Sequence, residues 1–82
     1  MVKLSEISSA LNVRVEGDMS FEVIGPSEPR FASEQQLAIA LDKKFLKDIA
    51  IGKAKVAFIK DGIDYKSLGL VGALYAENTR FS

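Results

Sequence analysis

The sequence predicts a small α/β domain: a mixed sheet of about five strands with a β-hairpin and a strand-helix-strand unit. Three observations carry this. In Gln36 to Gly52 (QLAIALDKKFLKDIAIG) the apolar period changes from 2 to 3.6 at Asp42, so a strand passes through one capping residue into a helix. Ala54 to Ile59 (AKVAFI) is almost continuously apolar, the pattern of a strand covered on both faces in a parallel sheet. Between Arg14 and Val23, two short alternating stretches flank Gly17-Asp18, a pair suited to a tight turn.

The elements follow in order. Leu4, Ile7, Ala10 and Leu11 stand at helical spacing, with Ser5 as the expected N-cap and Asn12 able to end the helix in a left-handed conformation. Val13 and Val15 alternate with Arg14 and Glu16, and Phe21 and Val23 alternate with Ser20 and Glu22, which predicts the hairpin. Gly25-Pro26 closes it, and Pro26 to Gln35 is expected to be a surface connection. Leu37, Ile39, Ala40 and Leu41 form the next strand. Phe45, Leu46, Ile49 and Ala50 give the following helix its apolar face, which places Phe45 in the core. Asp42 caps that helix, and Gly52 is expected to end it with a left-handed residue. After AKVAFI, Asp61-Gly62 breaks the chain, a polar link runs through Tyr65 and Ser67, and Leu70 to Tyr75 forms a last buried strand containing Gly72. Asn78 and Thr79 have the chemistry of a helix start, and the chain stops at Ser82. That ending points to a fragment of a longer protein, residues 1–82 being one domain of it.

Composition narrows the chemistry. Eleven basic and eleven acidic residues cancel, so the counterion-release attraction behind non-specific nucleic-acid binding has no global source, and no nucleic-acid partner is expected. There is no cysteine for a disulfide or thiolate site and no histidine to act as base or metal ligand. No apolar run approaches the roughly 20 residues of a membrane span, and the N-terminus lacks the apolar core of a signal peptide, which predicts a cytoplasmic protein. Ser5, Ser8 and Ser9 lie on the first helix with no base to activate them. Glu28 and Glu34 are loop acids with no apolar pocket to raise either pKa. The six glycines are scattered singly and match neither a dinucleotide fingerprint nor a phosphate loop. No catalytic residue, metal ligand or cofactor site is therefore expected. Lys43, Lys44, Lys47, Lys53 and Lys55 do concentrate positive charge on and after the second helix, where an anion could be held or where a solvated face simply carries Lys47 beside Asp48.

The order of segments resembles the N-terminal, uridine-binding domain of the UDP-3-O-acylglucosamine N-acyltransferases of lipid A biosynthesis. LSEISSALN resembles that family's opening helix, VEGDMSFEVIG its Gly-Asp hairpin, and QLAIALDKKFLKDIAIGKAKVAFI its strand-helix-strand core. YAENTRFS resembles the strand end and onward helix start. The resemblance implies a nucleotide-sugar-binding-like domain in which uracil is held by residues matching Ile39, Asp42 and Phe45, where the family carries phenylalanine, asparagine and tyrosine. Ile39 removes one aromatic face, and an ionised Asp42 accepts hydrogen bonds but repels the uracil carbonyls that an amide would satisfy. Lys43 replaces the usual proline. The resemblance thus implies an altered, weakened site for a UDP-glucosamine-type nucleotide sugar. It also implies a homotrimeric parent whose missing β-helix domain meets acyl carrier protein and performs the acyl transfer. Two other readings accompany this one: the N-terminal domain of a Mur-ligase-like enzyme, since GPSEPR followed by LAIAL resembles that family's loop and strand, or a non-binding structural or interaction domain of the same fold.

Overall fold

A computed structural model describes residues 1–76. Its sheet has five strands in the order β2-β7-β6-β5-β4, comprising β2 (Arg14–Gly17), β4 (Gly25–Ser27), β5 (Gln36–Ala40), β6 (Val56–Lys60) and β7 (Gly72–Ala76). β4 through β7 run parallel and β2 joins β7 antiparallel. The mixed α/β class is as the sequence predicts, and so are the parallel neighbours of the AKVAFI segment.

Large and small residues alternate along the strands, which sorts the core into two layers. On one face Leu37, Val56 and Leu74 meet Leu4 and Val23, with Ile7, Ile39 and Phe58 packed alongside. On the other Ala38, Ala40, Ala57 and Ala73 bring the backbone close to the connecting segments, whose Ala32, Ile49 and Leu70 pack with Ile59 and Tyr75. The first layer belongs to α1 (Leu4–Leu11). The second belongs to α2 (Leu46–Ile51) and to short 3₁₀ turns at Pro29–Phe31 and Tyr65–Leu68.

The helix α1 ends as expected, with Asn12 in the left-handed region at φ 58° and ψ 49°. Its start differs: Ser5 lies within the helix, not at its cap. The amides of Leu4 and Ser5 donate to the carbonyls of Phe21 and Met19 at 3.0 Å, and the Glu6 carboxylate accepts from the Lys3 amide at 2.9 Å. A distant loop has taken the role expected of a local hydroxyl.

The chain turns at Gly17-Asp18, but the two arms of the expected hairpin enter different sheets. β2 pairs with β7, while β3 (Glu22–Val23) pairs antiparallel with β1 (Val2–Lys3). Val23 is thereby buried beside Leu4, and the sheet edge of β7 is covered by β2. Gly17, at φ 86°, is needed here for two reasons: the torsion is left-handed, and a Cβ would lie 2.5 Å from the Val71 carbonyl oxygen. Gly25–Ser27, read from the sequence as the start of a connection, is an edge strand, where the missing N–H of Pro26 is tolerated.

Gly52 also departs from expectation, with φ −79° and ψ −170°, an extended backbone that any residue adopts. It is glycine because of crowding: a Cβ would lie 2.0 Å from the Pro29 carbonyl oxygen. Gly52→Ala is expected to destabilise the fold by about 1–3 kcal/mol, as overpacking against a fixed backbone does, and urea denaturation measures it. The same contact explains Asp48, which lies on the α2 face turned to the Pro29–Phe31 turn. It is 9% exposed, not solvated, and its carboxylate stands 3.4 Å from the Arg30 guanidinium.

At the far end of β7, the Tyr75 hydroxyl donates to the Ile63 carbonyl at 2.6 Å, and burial pushes its pKa up. The Arg14 guanidinium lies 4.4 Å from the Tyr75 ring centroid and 2.8 Å from the Asp61 carboxylate, which ties β2 to the turn after β6. Asn78 and Thr79 lie outside the described residues. Among those described, no helix is long and apolar enough to cross a membrane.

Candidate functional site

In a parallel sheet the C-terminal ends of the strands, where the chain turns into a helix, form the crevice that ligands use. β5 reaches that end at Ala40. Because side chains alternate along it, Ile39 faces the α1 side beside Phe58, its partner in register on β6, whereas Ala40 faces α2. Asp42 follows in an extended conformation. Its carboxylate accepts from the Lys44 amide at 3.1 Å and its carbonyl from the Phe45 amide at 2.9 Å, closing a 3₁₀ turn over Lys43–Phe45 before α2 begins. The capping role read from the sequence is therefore present, with a 3₁₀ turn interposed before the helix.

Phe45 is 38% exposed and does not join the core, contrary to the sequence reading. The interposed turn rotates it away from the face that Leu46 and Ile49 share. The Lys44 ammonium sits 5.3 Å from its ring centroid. Ile39 lines an apolar cleft of about 470 Å³ together with Ile7, Leu11, Ile24, Leu41 and Phe58. Asp42 and Phe45 lie on the exposed turn next along the chain, outside the residues that line the cleft. The three predicted residues thus form the end of one strand and the turn after it, with an aliphatic surface, a half-engaged carboxylate and an accessible ring in succession.

All five lysines of the basic cluster are exposed. Lys43 and Lys44 lie in the turn itself and Lys47 in the first turn of α2, while Lys53 lines a shallow hollow with Ser33, Glu34 and Gln35. Glu28 is not among the residues of that hollow, so the two loop acids are not brought together around it. Ser8 donates its hydroxyl to the Val13 carbonyl, a structural use. Among the described residues there is no cluster of three or more acidic, histidine or cysteine side chains that could hold a metal ion.

Chemically, the turn offers a ring on which a planar base can stack, one acceptor oxygen for an N–H, and three ammonium groups within the same short stretch for negative charge. The apolar cleft beside it was not found from the sequence. Its signal was present in the alternation Leu37-Ala38-Ile39-Ala40 and Val56-Ala57-Phe58, which puts every large side chain on one face.

No protein-family model matches the sequence. The UDP-3-O-acylglucosamine N-acyltransferase of Ruegeria pomeroyi is 32% identical to it over 79 residues, 96% of this chain. The chain matches a domain of that acyltransferase. It spans 22% of the relative's length, so most of the acyltransferase has no counterpart in these 82 residues. Along the matched length the acyltransferase similarity includes both strands of the strand-helix-strand unit and the turn between them, since only three of the 82 residues fall outside the aligned 79.

Proposed function

We propose that this chain is the N-terminal accessory domain of a UDP-3-O-acylglucosamine N-acyltransferase-like enzyme of lipid A biosynthesis, with a weakened uridine-nucleotide site at Ile39, Asp42 and Phe45. The observation that supports it most is the placement of those three positions at the C-terminal end of a central parallel strand, in a chain whose relative carries a name built on a UDP sugar. Phe45 supplies the remaining stacking face, Asp42 accepts the uracil N3–H with the oxygen not engaged by Lys44, and Lys43 and Lys47 meet the diphosphate. Ile39 contributes only an aliphatic contact. The domain by itself transfers nothing. Acyl transfer, the encounter with acyl carrier protein and trimer formation belong to the rest of a cytoplasmic parent.

The gene tests this. Sequence beyond Ser82 is expected to encode hexapeptide repeats, and the longer product is expected to move an acyl group from acyl carrier protein to the amine of a UDP-3-O-acylglucosamine. A phosphate loop with Gly-Lys-Thr or Gly-Lys-Ser in that position would instead assign the chain to a Mur-ligase-like enzyme.

One observation favours a second reading, a domain that binds no nucleotide: the Asp42 carboxylate already serves the turn as a cap. On that reading the fold positions its parent or contacts another protein, and nucleotide sugars leave the turn unperturbed.

A further inference from the structure

β2 is an outermost strand of the sheet, and its pairing with β7 fixes which of its backbone groups face outward. The Asp18 amide donates to the Val71 carbonyl at 3.0 Å, and the register runs from Gly17 opposite Gly72 to Arg14 opposite Tyr75. Bonded and non-bonded pairs alternate along an antiparallel ladder, so Glu16 and Arg14 bond to β7 while Val15 turns its N–H and C=O away from the sheet. Neither group has a partner among the described residues. Val13, by contrast, is closed off: its amide donates to the Ser8 carbonyl and its carbonyl accepts from the Ser8 hydroxyl. The open stretch of edge is therefore short and centred on Val15, with Arg14 and Glu16, both exposed, on either side.

We infer that this edge pairs with the same edge of a second copy of the chain, antiparallel, with Val15 opposite Val15 on a two-fold axis. Charge selects both the partner and the register. A two-fold on Arg14 sets Arg14 against Arg14, one on Glu16 sets Glu16 against Glu16, and one on Gly17 sets Glu16 against Asp18. Like charges directly opposite destabilise a strand pair, so these registers are disfavoured. Among the residues of β2, only the two-fold on Val15 sets Arg14 against Glu16, and it does so twice. It also lets the two Val15 residues exchange both N–H···O=C bonds. An edge that wards off its own copies carries like charges, whereas here opposite charges flank the centre of the open stretch. Arg14 can serve the contact without leaving its own chain, where Glu16 and Asp61 take it at 3.1 and 2.8 Å, because a guanidinium has more N–H donors than those two bonds use. The pairing joins two five-stranded sheets into one, and β2 lies three strands from β5, so the contact is independent of the turn at Asp42. One short strand buries less than a standard stable interface, which makes the association weak and concentration-dependent.

A concentration series of the 82-residue chain, followed by sedimentation velocity and amide shifts from micromolar to millimolar protein, tests this. Dimers are expected at the upper end, with shifts centred on Arg14 to Gly17. Glu16→Arg places arginine opposite Arg14 in both cross-strand pairs and is expected to weaken self-association at least about tenfold. Arg14→Glu does the same with acids. Each variant repels its own copies, yet an equimolar mixture of the two is expected to dimerise, because every cross-strand pair in the mixed dimer is again of opposite sign. Loss of folding could not produce that recovery, and Glu16→Arg leaves the Arg14–Asp61 bridge in place. A chain that stays monomeric at millimolar protein, or self-association that is centred away from β2 or left unchanged by Glu16→Arg, would overturn the inference. So would a mixture of the two folded variants that is no more associated than its components.

Discussion

Ile39→Phe combined with Asp42→Asn is expected to tighten binding of UDP-N-acetylglucosamine to the 82-residue chain by about 10- to 1,600-fold, measured by calorimetry or amide shifts. The magnitude follows from two restored interactions. A second aromatic face contributes about 1–3 kcal/mol where bases stack on proteins, and an amide that both donates and accepts adds about 0.5–1.5 kcal/mol over a carboxylate that only accepts. Their sum, about 1.5–4.5 kcal/mol, converts at about 1.4 kcal/mol per tenfold. The site can take the larger ring: Ile39 is half-buried and opens onto the cleft, so a phenyl group extends into free space. Asparagine keeps the cap, because its side-chain oxygen accepts from the Lys44 amide as the Asp42 oxygen does. An unchanged affinity in the double variant would mean that these positions do not meet the base, and the non-binding reading would then stand.

Ile59→Ala is expected to cost about 2–5 kcal/mol of folding stability, read from the midpoint of urea denaturation. Ile59 is fully buried at the centre of the layer between the sheet and the connecting segments, with Ala40, Ala57 and Ala73 among its companions. The alanines leave little side chain that can move into the space vacated, so the cavity persists. A domain of 82 residues has a total stability of about 4–12 kcal/mol, which makes the loss a large fraction of the whole. The neighbouring Phe58, on the cleft face and half-buried, is expected to tolerate alanine better in the 82-residue chain. The contrast between adjacent residues of β6 separates the complete layer from the open one.

What could be read from the sequence were features decided locally. The change of period at Asp42, the two-sided apolar run of β6 and the left-handed Asn12 depend on side chains within a few residues of each other, and each appears in the structure as read. The misreadings have distant causes. Ser5 lost the cap because carbonyls of Met19 and Phe21 reach the helix first, and Gly52 is dictated by Pro29, more than twenty residues earlier. Asp48 looked like part of a solvated face until the Pro29–Phe31 turn covered it and brought Arg30 alongside. The two arms flanking Gly17-Asp18 alternate as hairpin strands do, yet pairing is a competition, and β1 and β7 are the partners taken. At the candidate site the residues were legible and their exposure was not. A 3₁₀ turn before α2 moves Phe45 out of the face that a continuous helix would have given it, which leaves its ring accessible.

The most direct test of the account is an amide-shift titration of the 82-residue chain with UDP-N-acetylglucosamine, with an adenine nucleotide as control. Weak, uridine-selective perturbations centred on Ile39, Asp42 and Phe45, reached at millimolar ligand, are the predicted result. A spectrum that stays unchanged around Asp42 at those concentrations, or that moves equally with the adenine nucleotide, would contradict the claim that this turn is a weakened uridine site.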